Sequence, residues 1–317
     1  MEIFPEKFVE DYIYNLTKTS LDKSKPLWEV HIINLKTSEA EGVWVFRIHH
    51  SLGDGMSLMS LLLACTRQIA NPEALPTLPT AKKKKNQEHE KGRGGGHFIT
   101  SFSRCFIGVW WLFQLLWNTF VDVFLFLATA FFLRDTQTPI RAPPGTENNP
   151  RRIIFRTLSL GDFKLMKNAM NSTINDVALG VTQAGLSRYL NRRYGENMKD
   201  EGGSTGYKNN LPSKIRLRSN LLVNIRPSPG IQDLADMMEK NSEAKWGNWL
   251  GYVLIPFNIA LKDDPLDYIR EVKVTVDRKK HSLEALCTFC ISGLVFTLFG
   301  IKIRYNKYLY TWALRHH

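Results

Sequence analysis

The sequence predicts an α/β protein, and two observations support this fold class. Short apolar segments typical of strands stand beside longer segments in which apolar residues recur every three or four positions. The 317 residues include 44% hydrophobic and 23% charged residues, which is the composition of a folded globular protein. That composition excludes a collagen-like repeat, a disulfide-dense secreted module and a multi-span transporter. The length suits one large domain or two ordinary ones.

The first 80 residues predict two strands followed by a helix. Residues 30–35 and 43–48 are short apolar segments, and the polar residues 36–42 between them predict a hairpin loop. Because residues 43–48 are almost entirely apolar, we expect this strand to be central in a sheet. Residues 56–69 predict a helix, since their leucines recur at spacings of three and four.

A basic linker and a long apolar segment come next. Prolines, four consecutive lysines and a glycine cluster within residues 72–96 predict a loop. Residues 82–104 contain seven basic and two acidic residues, which gives a local net charge of +5. Residues 106–133 contain a single ionisable side chain, that of Asp122. As a helix these 28 residues would extend about 42 Å. Roughly 20 apolar residues are enough to cross a bilayer, so the segment is long enough to span one.

The rest of the chain predicts further α/β structure. Polar loops at 139–150 and 196–212 separate segments with regular apolar spacing. The predicted strands are residues 153–158 and 221–225, and the predicted helices are residues 160–170, 174–190 and 265–280. A second apolar segment, residues 285–301, has 17 residues without charge, which is slightly short for a membrane span.

The charge of the chain points to an anionic partner. A formal net charge of +12 favours nucleic acid, an anionic membrane face or a phosphate-bearing substrate. We discount nucleic acid, because the positive charge is concentrated in a linker beside an apolar segment rather than on a basic face with interleaved aromatics. Four cysteines are too few for a disulfide framework, and we expect reduced, buried thiols. Cys287 and Cys290 form a CxxC pair that lacks the further ligands of a zinc site.

The candidate catalytic motif is HHSLGDG at residues 49–55. It lies where an apolar strand ends and a helix begins, which is a suitable place to hold a side chain at a cleft. His49 and His50 are adjacent, so in a strand they point to opposite faces, and a shared metal ion is disfavoured. Histidine is a common general base for a hydroxyl proton. The alternative is a histidine pair with only local hydrogen bonds and Asp54 as an ordinary helix cap, and the length of the motif favours function.

The motif resembles the HHxxxDG signature of CoA-dependent acyltransferases of the chloramphenicol acetyltransferase type. More closely, the chain resembles plant wax ester synthase/diacylglycerol acyltransferases, in a match that runs from about residue 5 to Lys302. The supporting segments are PLWE at 26–29, NDV at 175–177, LG at 179–180, NIRP at 224–227, DRKK at 277–280 and SLEA at 282–285.

The resemblance implies an α/β fold in which two halves form a sandwich around an active-site channel. Residues 1–80 would form the N-terminal half, and residues 81–150 would hold the basic linker with an inserted, apolar, membrane-associated helix. Residues 151–302 would form a partial C-terminal half, and residues 303–317 a divergent tail. Against the family pattern we expect a truncated member whose second half is incomplete.

The resemblance also implies an activity, that of an acyl-CoA-dependent O-acyltransferase. The acceptor would be a long-chain alcohol, which gives a wax ester, or diacylglycerol, which gives triacylglycerol. His50 would be the general base, supported by His49, Asp54 and Gly55, with Asp54 holding the loop through a salt bridge or hydrogen bonds. Asn175 and Asp176 would lie near the channel, although a helix cap explains this pair equally well. Acyl-CoA would be a co-substrate, and no cofactor or metal ion is expected.

The apolar segment raises a question of topology. A single crossing by residues 106–133 would place His50 and the region of Asn175 on opposite sides of a membrane, whereas the implied fold needs both in one compartment. We therefore expect this segment to lie in the interface or to enter and return, with the linker on anionic headgroups of the endoplasmic reticulum membrane or the plasma membrane. The alternatives are a true anchor, and an inactive membrane-associated homologue that binds lipid or a full-length partner.

Overall fold

The chain alternates helices with two antiparallel strand pairs. The computed structural model describes residues 4–74, 76, 97–143, 145–146, 149, 154, 156–197, 209–226 and 246–299. Within these residues the elements are, in chain order, α1 (Pro5–Leu16), β1 (Trp28–Ile33), β2 (Val43–Ile48), α2 (Gly55–Ala64), α3 (His97–Phe131), α4 (Leu160–Ala169), α5 (Ile174–Asn197), β3 (Arg216–Asn224), β4 (Leu250–Asn258), α6 (Leu266–Lys280) and α7 (Glu284–Phe299). The α/β class is therefore confirmed, and a sandwich of two halves stays a prediction.

The N-terminal strands form the predicted hairpin but not the predicted sheet. β1 and β2 pair antiparallel, with Trp28 opposite Ile48, and in the described part of the chain neither has another neighbour. The expectation that residues 43–48 form a central strand is therefore wrong here. The sequence of β2 is almost continuously apolar because Trp44 and Phe46, which point outward and are exposed, are apolar as well. Apolar residues on both faces therefore did not indicate burial of both faces. On the other face Tyr12 of α1, a helix that the sequence did not predict, hydrogen-bonds His31 at 2.8 Å.

The core of the C-terminal part lies between β4 and three helices. β3 and β4 pair antiparallel over their full length. The buried cluster comprises Leu190, Val253, Ile255, Phe257 and Ile259, with α5, α6 and α7 packed around it. The sequence missed β4, because Pro256 within residues 250–258 argues against a paired strand.

The helices of this part were predicted better than its strands. α4, α5 and α6 begin within one residue of the predicted positions, and α5 extends seven residues beyond the predicted end. α7 coincides with most of the apolar segment at 285–301, for which no helix was predicted. β3 begins five residues before the predicted strand at 221–225. The predicted strand at 153–158 is wrong where it is described, since Ile154 and residues 156–158 belong to no strand. Most of the predicted linker at 72–96 lies outside the described residues.

The apolar helix α3 packs on the C-terminal part through a polar stripe. Asp122 is fully buried and accepts hydrogen bonds from Arg278 at 2.7 Å and Lys279 at 2.9 Å. Asn118 donates to the carbonyl of His281 at 3.1 Å. The single ionisable group of the apolar segment is therefore neutralised by α6 rather than exposed along the helix.

Candidate active site

The HHSLGDG motif occupies the connection between β2 and α2. β2 ends at Ile48, His49 has extended backbone, and residues 50–52 form one turn of 3₁₀-helix. Asp54 caps α2 by accepting a hydrogen bond from the N–H of Ser57 at 3.0 Å. A Cβ atom at position 53 would lie 2.9 Å from the Cβ of Ser57, so this tight connection needs glycine.

The two histidines have different surroundings. Nδ1 of His49 accepts a hydrogen bond from the N–H of Ser51 at 3.2 Å and lies 2.7 Å from the Ser51 hydroxyl oxygen. In a neutral His49 ring the proton is therefore on Nε2. The side chain of His50 is exposed, and none of the described residues hydrogen-bonds its imidazole. The His50 ring is thus open to a ligand, whereas its backbone carbonyl accepts from Asn248 at 3.2 Å.

Asp54 is buried and forms a two-pronged salt bridge with Arg226. The guanidinium nitrogens Nη1 and Nη2 lie 2.8 and 3.0 Å from the two carboxylate oxygens, and the N–H of Trp249 donates to Oδ2 at 3.0 Å. Burial alone would raise the pKa of Asp54. The hydrogen bonds from Arg226, Ser57 and Trp249 outweigh that effect and hold the pKa below its ordinary value.

The C-terminal part holds the motif by further contacts. Arg226 also donates to the hydroxyl of Ser57 at 2.9 Å and to the carbonyl of Gly247 at 2.6 Å. The indole N–H of Trp246 donates to the carbonyl of Leu52 at 2.7 Å. The loop that positions His50 is thus fixed by residues almost 200 positions away in sequence.

Sequence reasoning did not identify Arg226 as the partner of Asp54. The NIRP segment at 224–227 was noted only as part of a family resemblance. A buried aspartate requires a cation or several donors, so the motif itself signals that a partner exists. Which of the 42 lysines and arginines supplies it is decided by the fold.

Asn175 and Asp176 form the start of α5. Asp176 accepts from the N–H of Thr173 at 2.8 Å, and the Thr173 hydroxyl accepts from the N–H of Asp176 at 3.2 Å. This reciprocal pair is a capping box, which accounts for buried Asp176, while Asn175 is exposed. No described hydrogen bond joins either residue to the histidine motif, and their place near a channel stays a prediction. Gly55, the first residue of α2, is exposed and has open space around it.

Three of the four cysteines differ from the expectation of buried thiols, and the side chain of Cys105 lies outside what the structure describes. Cys65 and Cys290 are exposed and Cys287 is half-buried, and all three are free. Burial was expected because Cys287 and Cys290 lie in an apolar segment. That segment forms α7, on which the apolar side chains of Leu294 and Phe296 are exposed as well, so apolar sequence does not imply burial there. Among the described residues no group of three or more His, Cys, Asp or Glu side chains is arranged to hold a metal ion.

Two family models match the chain. The wax ester synthase/diacylglycerol acyltransferase catalytic domain matches residues 6–178, and the WS/DGAT C-terminal domain matches residues 246–314. The second match passes Lys302, the point where the resemblance was expected to end, and reaches into residues that the structure does not describe.

Curated relatives from Arabidopsis thaliana agree with the family models. Wax ester synthase/diacylglycerol acyltransferase 11 is 50% identical over 298 residues, which cover 94% of this chain and 59% of that protein. Wax ester synthase/diacylglycerol acyltransferase 5 is 52% identical over 303 residues, which cover 93% of this chain and 57% of that protein. No solved structure matches the chain. The chain spans about three-fifths of the length of these relatives, and it belongs to the wax ester synthase/diacylglycerol acyltransferase family.

Proposed function

We propose that this protein transfers a fatty acyl group from acyl-CoA to the hydroxyl group of a long-chain alcohol or of diacylglycerol. The products are a wax ester or triacylglycerol, together with free CoA. The observation that carries the proposal is the geometry of the HHxxxDG loop. It exposes the imidazole of His50 while Asp54 and Arg226 fix the loop behind it.

In the proposed reaction His50 is the general base. Its imidazole takes the proton from the acceptor hydroxyl as that oxygen attacks the thioester carbonyl. The tetrahedral intermediate then expels the CoA thiolate, which takes up the proton from His50 and leaves as the thiol. No acyl-enzyme forms, because the alcohol attacks directly. Ser51 is not placed as a nucleophile for His50, since its hydroxyl contacts His49.

Asp54 and Arg226 act on this reaction through position. The carboxylate is fully buried, and its two oxygens accept hydrogen bonds from Arg226, Ser57 and Trp249, so it offers no exposed surface to a substrate. Its salt bridge fixes the backbone between His50 and α2, and Asn248 fixes the carbonyl of His50. A rigid loop keeps the imidazole within reach of the hydroxyl proton, which is the main requirement of general base catalysis.

The substrates favour action at a membrane surface, and we propose the endoplasmic reticulum membrane. Long-chain alcohols and diacylglycerol partition into lipid, because each buried methylene contributes about 0.8 kcal/mol. Among the described residues, one unbroken helix is long and apolar enough to cross a membrane, and it comprises Phe106–Phe131 of α3. An enzyme with such a helix meets both lipid substrates where they are concentrated.

Expression in a yeast strain that lacks neutral-lipid synthesis tests the activity. With fatty alcohol in the medium we expect wax ester or triacylglycerol from the unaltered chain, and a loss of at least about 100-fold in His50→Ala. His49→Ala is the matched control and should retain more product than His50→Ala. Product that persists in His50→Ala would exclude His50 as the base. No product from the unaltered chain, beside product from a full-length relative, would favour a non-catalytic lipid-binding homologue.

A further inference from the structure

Helix α3 presents two different faces. One face carries the polar groups that contact the C-terminal part, from Trp111, whose ring lies 5.0 Å from that of His281, to Thr129, which accepts from Arg218. The opposite face is exposed and aromatic, with neighbouring rings along its length. Its members are Trp110, Phe113, Trp117, Phe120 and Phe124, each more than half exposed. We call these five side chains the aromatic face.

The salt bridge at the candidate active site is incompatible with a single crossing by α3. Asp54 precedes α3 in sequence and Arg226 follows it, yet the two side chains bond directly in a buried site. A helix that crossed the bilayer once between them would place these residues on opposite sides. Trp246 and Asn248, which also follow α3, hydrogen-bond Leu52 and His50 and so oppose such a crossing as well.

The contacts along α3 leave no length for a crossing. Trp111 and Thr129 lie 18 positions apart, about 27 Å along a helix, and both contact the C-terminal part. That length is close to the roughly 30 Å of a bilayer core. At its middle α3 packs against α7 and bonds through Asp122 to α6, whose last turn carries Arg278, Lys279 and Lys280. A helix with these charges does not belong in hydrocarbon.

We propose that α3 lies in the plane of an anionic phospholipid surface, with its aromatic face in the interface and its polar stripe on the protein. Tryptophan and phenylalanine suit that depth, since aromatic rings are favoured at membrane interfaces. The sequence directly before the apolar segment, residues 82–104, has a net charge of +5 that complements anionic headgroups. This inference deepens the membrane location proposed above and rests on it, and its test measures binding rather than acyl transfer, so the two can fail separately.

Flotation of the purified full chain with vesicles tests the aromatic face. The vesicles contain phosphatidylcholine and phosphatidylserine in a ratio of about 7 to 3, which gives an anionic surface. We expect the triple variant Trp110→Ser, Phe113→Ser, Trp117→Ser to lose at least tenfold in partition coefficient. The matched control is Trp28→Ser, Trp44→Ser, Phe46→Ser, which likewise removes two tryptophan rings and one phenylalanine ring, from the exposed face of the β1–β2 hairpin. It should change binding less than twofold.

Three results would overturn the proposal. The first is equal loss in both triple variants, which would indicate unspecific adsorption of apolar side chains. The second is an α3 variant that binds within twofold of the unaltered chain while circular dichroism shows both to be folded. The third is a chain that does not float but forms a dimer that the α3 variant dissociates, which would assign the aromatic face to a second copy.

A topology map gives an independent measurement. Glycosylation acceptor sites placed at Ser38, in the loop between β1 and β2, and at Ser213, before β3, flank α3 in sequence. In microsomes we expect both sites to be in the same state, either both modified or both unmodified. Modification of one site alone would mean that the chain crosses the membrane an odd number of times between them, and would refute the in-plane orientation.

Discussion

Asp54 keeps its charge inside the protein because Arg226 supplies the two donors that water would otherwise provide. A buried ion pair contributes little net stability compared with apolar residues, but removal of one partner leaves a buried charge without compensation. The carboxylate of Asp54 has no exposed surface, and the Arg226 side chain retains only 3%. The pair therefore serves to fix the position of the histidine loop relative to β3.

Replacement of Arg226 tests this role. In Arg226→Met we expect the free energy of unfolding to fall by about 3–5 kcal/mol, because the Asp54 carboxylate stays buried without its cation. Urea denaturation followed by circular dichroism measures the change. The control is Arg193→Met, which removes an exposed ion pair with Glu196 and should cost at most about 1 kcal/mol. Equal losses in the two variants would contradict a special role for Arg226.

The same salt bridge predicts a dependence of stability on pH. The pKa of Asp54 is lowered in the folded state, so its contribution is fully present above the unfolded value of about 3.9 and is lost as the pH falls through the folded pKa. We expect the free energy of unfolding to fall less steeply below about pH 5 in Asp54→Asn than in the unaltered protein. Urea midpoints at a series of pH values measure the slope. In the Arg226→Met background the change Asp54→Asn should no longer reduce the slope of the unfolding free energy with pH. Identical slopes in all variants would contradict the assignment of this pH dependence to the salt bridge between Asp54 and Arg226.

At the scale of elements, helix α2 differs from its sequence pattern. Its ten residues are mostly apolar, yet Leu61 and Leu62 are exposed while Ser57 and Ser60 are buried. The reason is the hydrogen bond from Arg226 to Ser57, which turns the serine face of the helix toward the salt bridge. Periodicity thus predicted the helix, and the contact with Arg226 determined which face is buried.

Helix packing depends on glycine at one position of α5 and not at another. A Cβ atom on Gly180 would lie 2.8 Å from Cγ1 and 2.9 Å from Cα of Ile269, so α6 approaches the α5 backbone closely. Gly185 on the same helix is exposed, with nothing within 4 Å of its Cβ position. The two glycines therefore provide a matched pair on one helix.

We expect opposite effects from the same substitution at these two positions. Gly180→Ala should lower the free energy of unfolding by about 1–3 kcal/mol, since the backbone of α6 must shift. Gly185→Ala should raise it by about 0.5–1 kcal/mol, because alanine loses less backbone entropy in a helix. Thermal or urea unfolding of both variants measures the difference. A stabilising Gly180→Ala would mean that α5 and α6 do not pack as closely as described.

At the scale of the whole molecule, two interactions favour binding to a membrane, one electrostatic and one apolar. The net charge of +12 attracts anionic headgroups over several ångströms, with +5 of it in residues 82–104, and the aromatic face of α3 acts at short range. Only the first of these is screened by salt, since the Debye length falls from about 10 Å at 0.1 M to about 3 Å at 1 M. Salt therefore separates the two contributions.

We expect binding to the anionic vesicles to fall at least tenfold between 0.05 and 0.5 M NaCl, because each basic residue near the surface contributes about 1 kcal/mol at low salt. Binding to vesicles of phosphatidylcholine alone should be weaker and nearly independent of salt. Flotation at both salt concentrations measures both quantities. Salt-independent binding to the anionic vesicles would show that the positive charge does not act in binding.

The amino-acid sequence alone predicted three helices of the C-terminal part and identified the candidate catalytic motif. The positions of α4, α5 and α6 follow from the local spacing of apolar residues, and the HHxxxDG motif is contiguous. Such features need only neighbouring residues, because the periods of helices and strands are local properties of the backbone. The boundaries of β3 and the existence of β4 escaped this reasoning, since strands form by pairing with distant partners.

The tertiary structure decided how these segments act together. It paired Asp54 with Arg226 across 172 positions, placed Asp122 on Arg278 and Lys279, and left the outer face of the β1–β2 hairpin exposed. From the sequence one can infer only that a buried carboxylate requires a cationic partner. The sequence does not identify which lysine or arginine is that partner. The fold selects one, because hydrogen bonds and ion pairs at 2.7–3.0 Å require a geometry that only the packed chain provides.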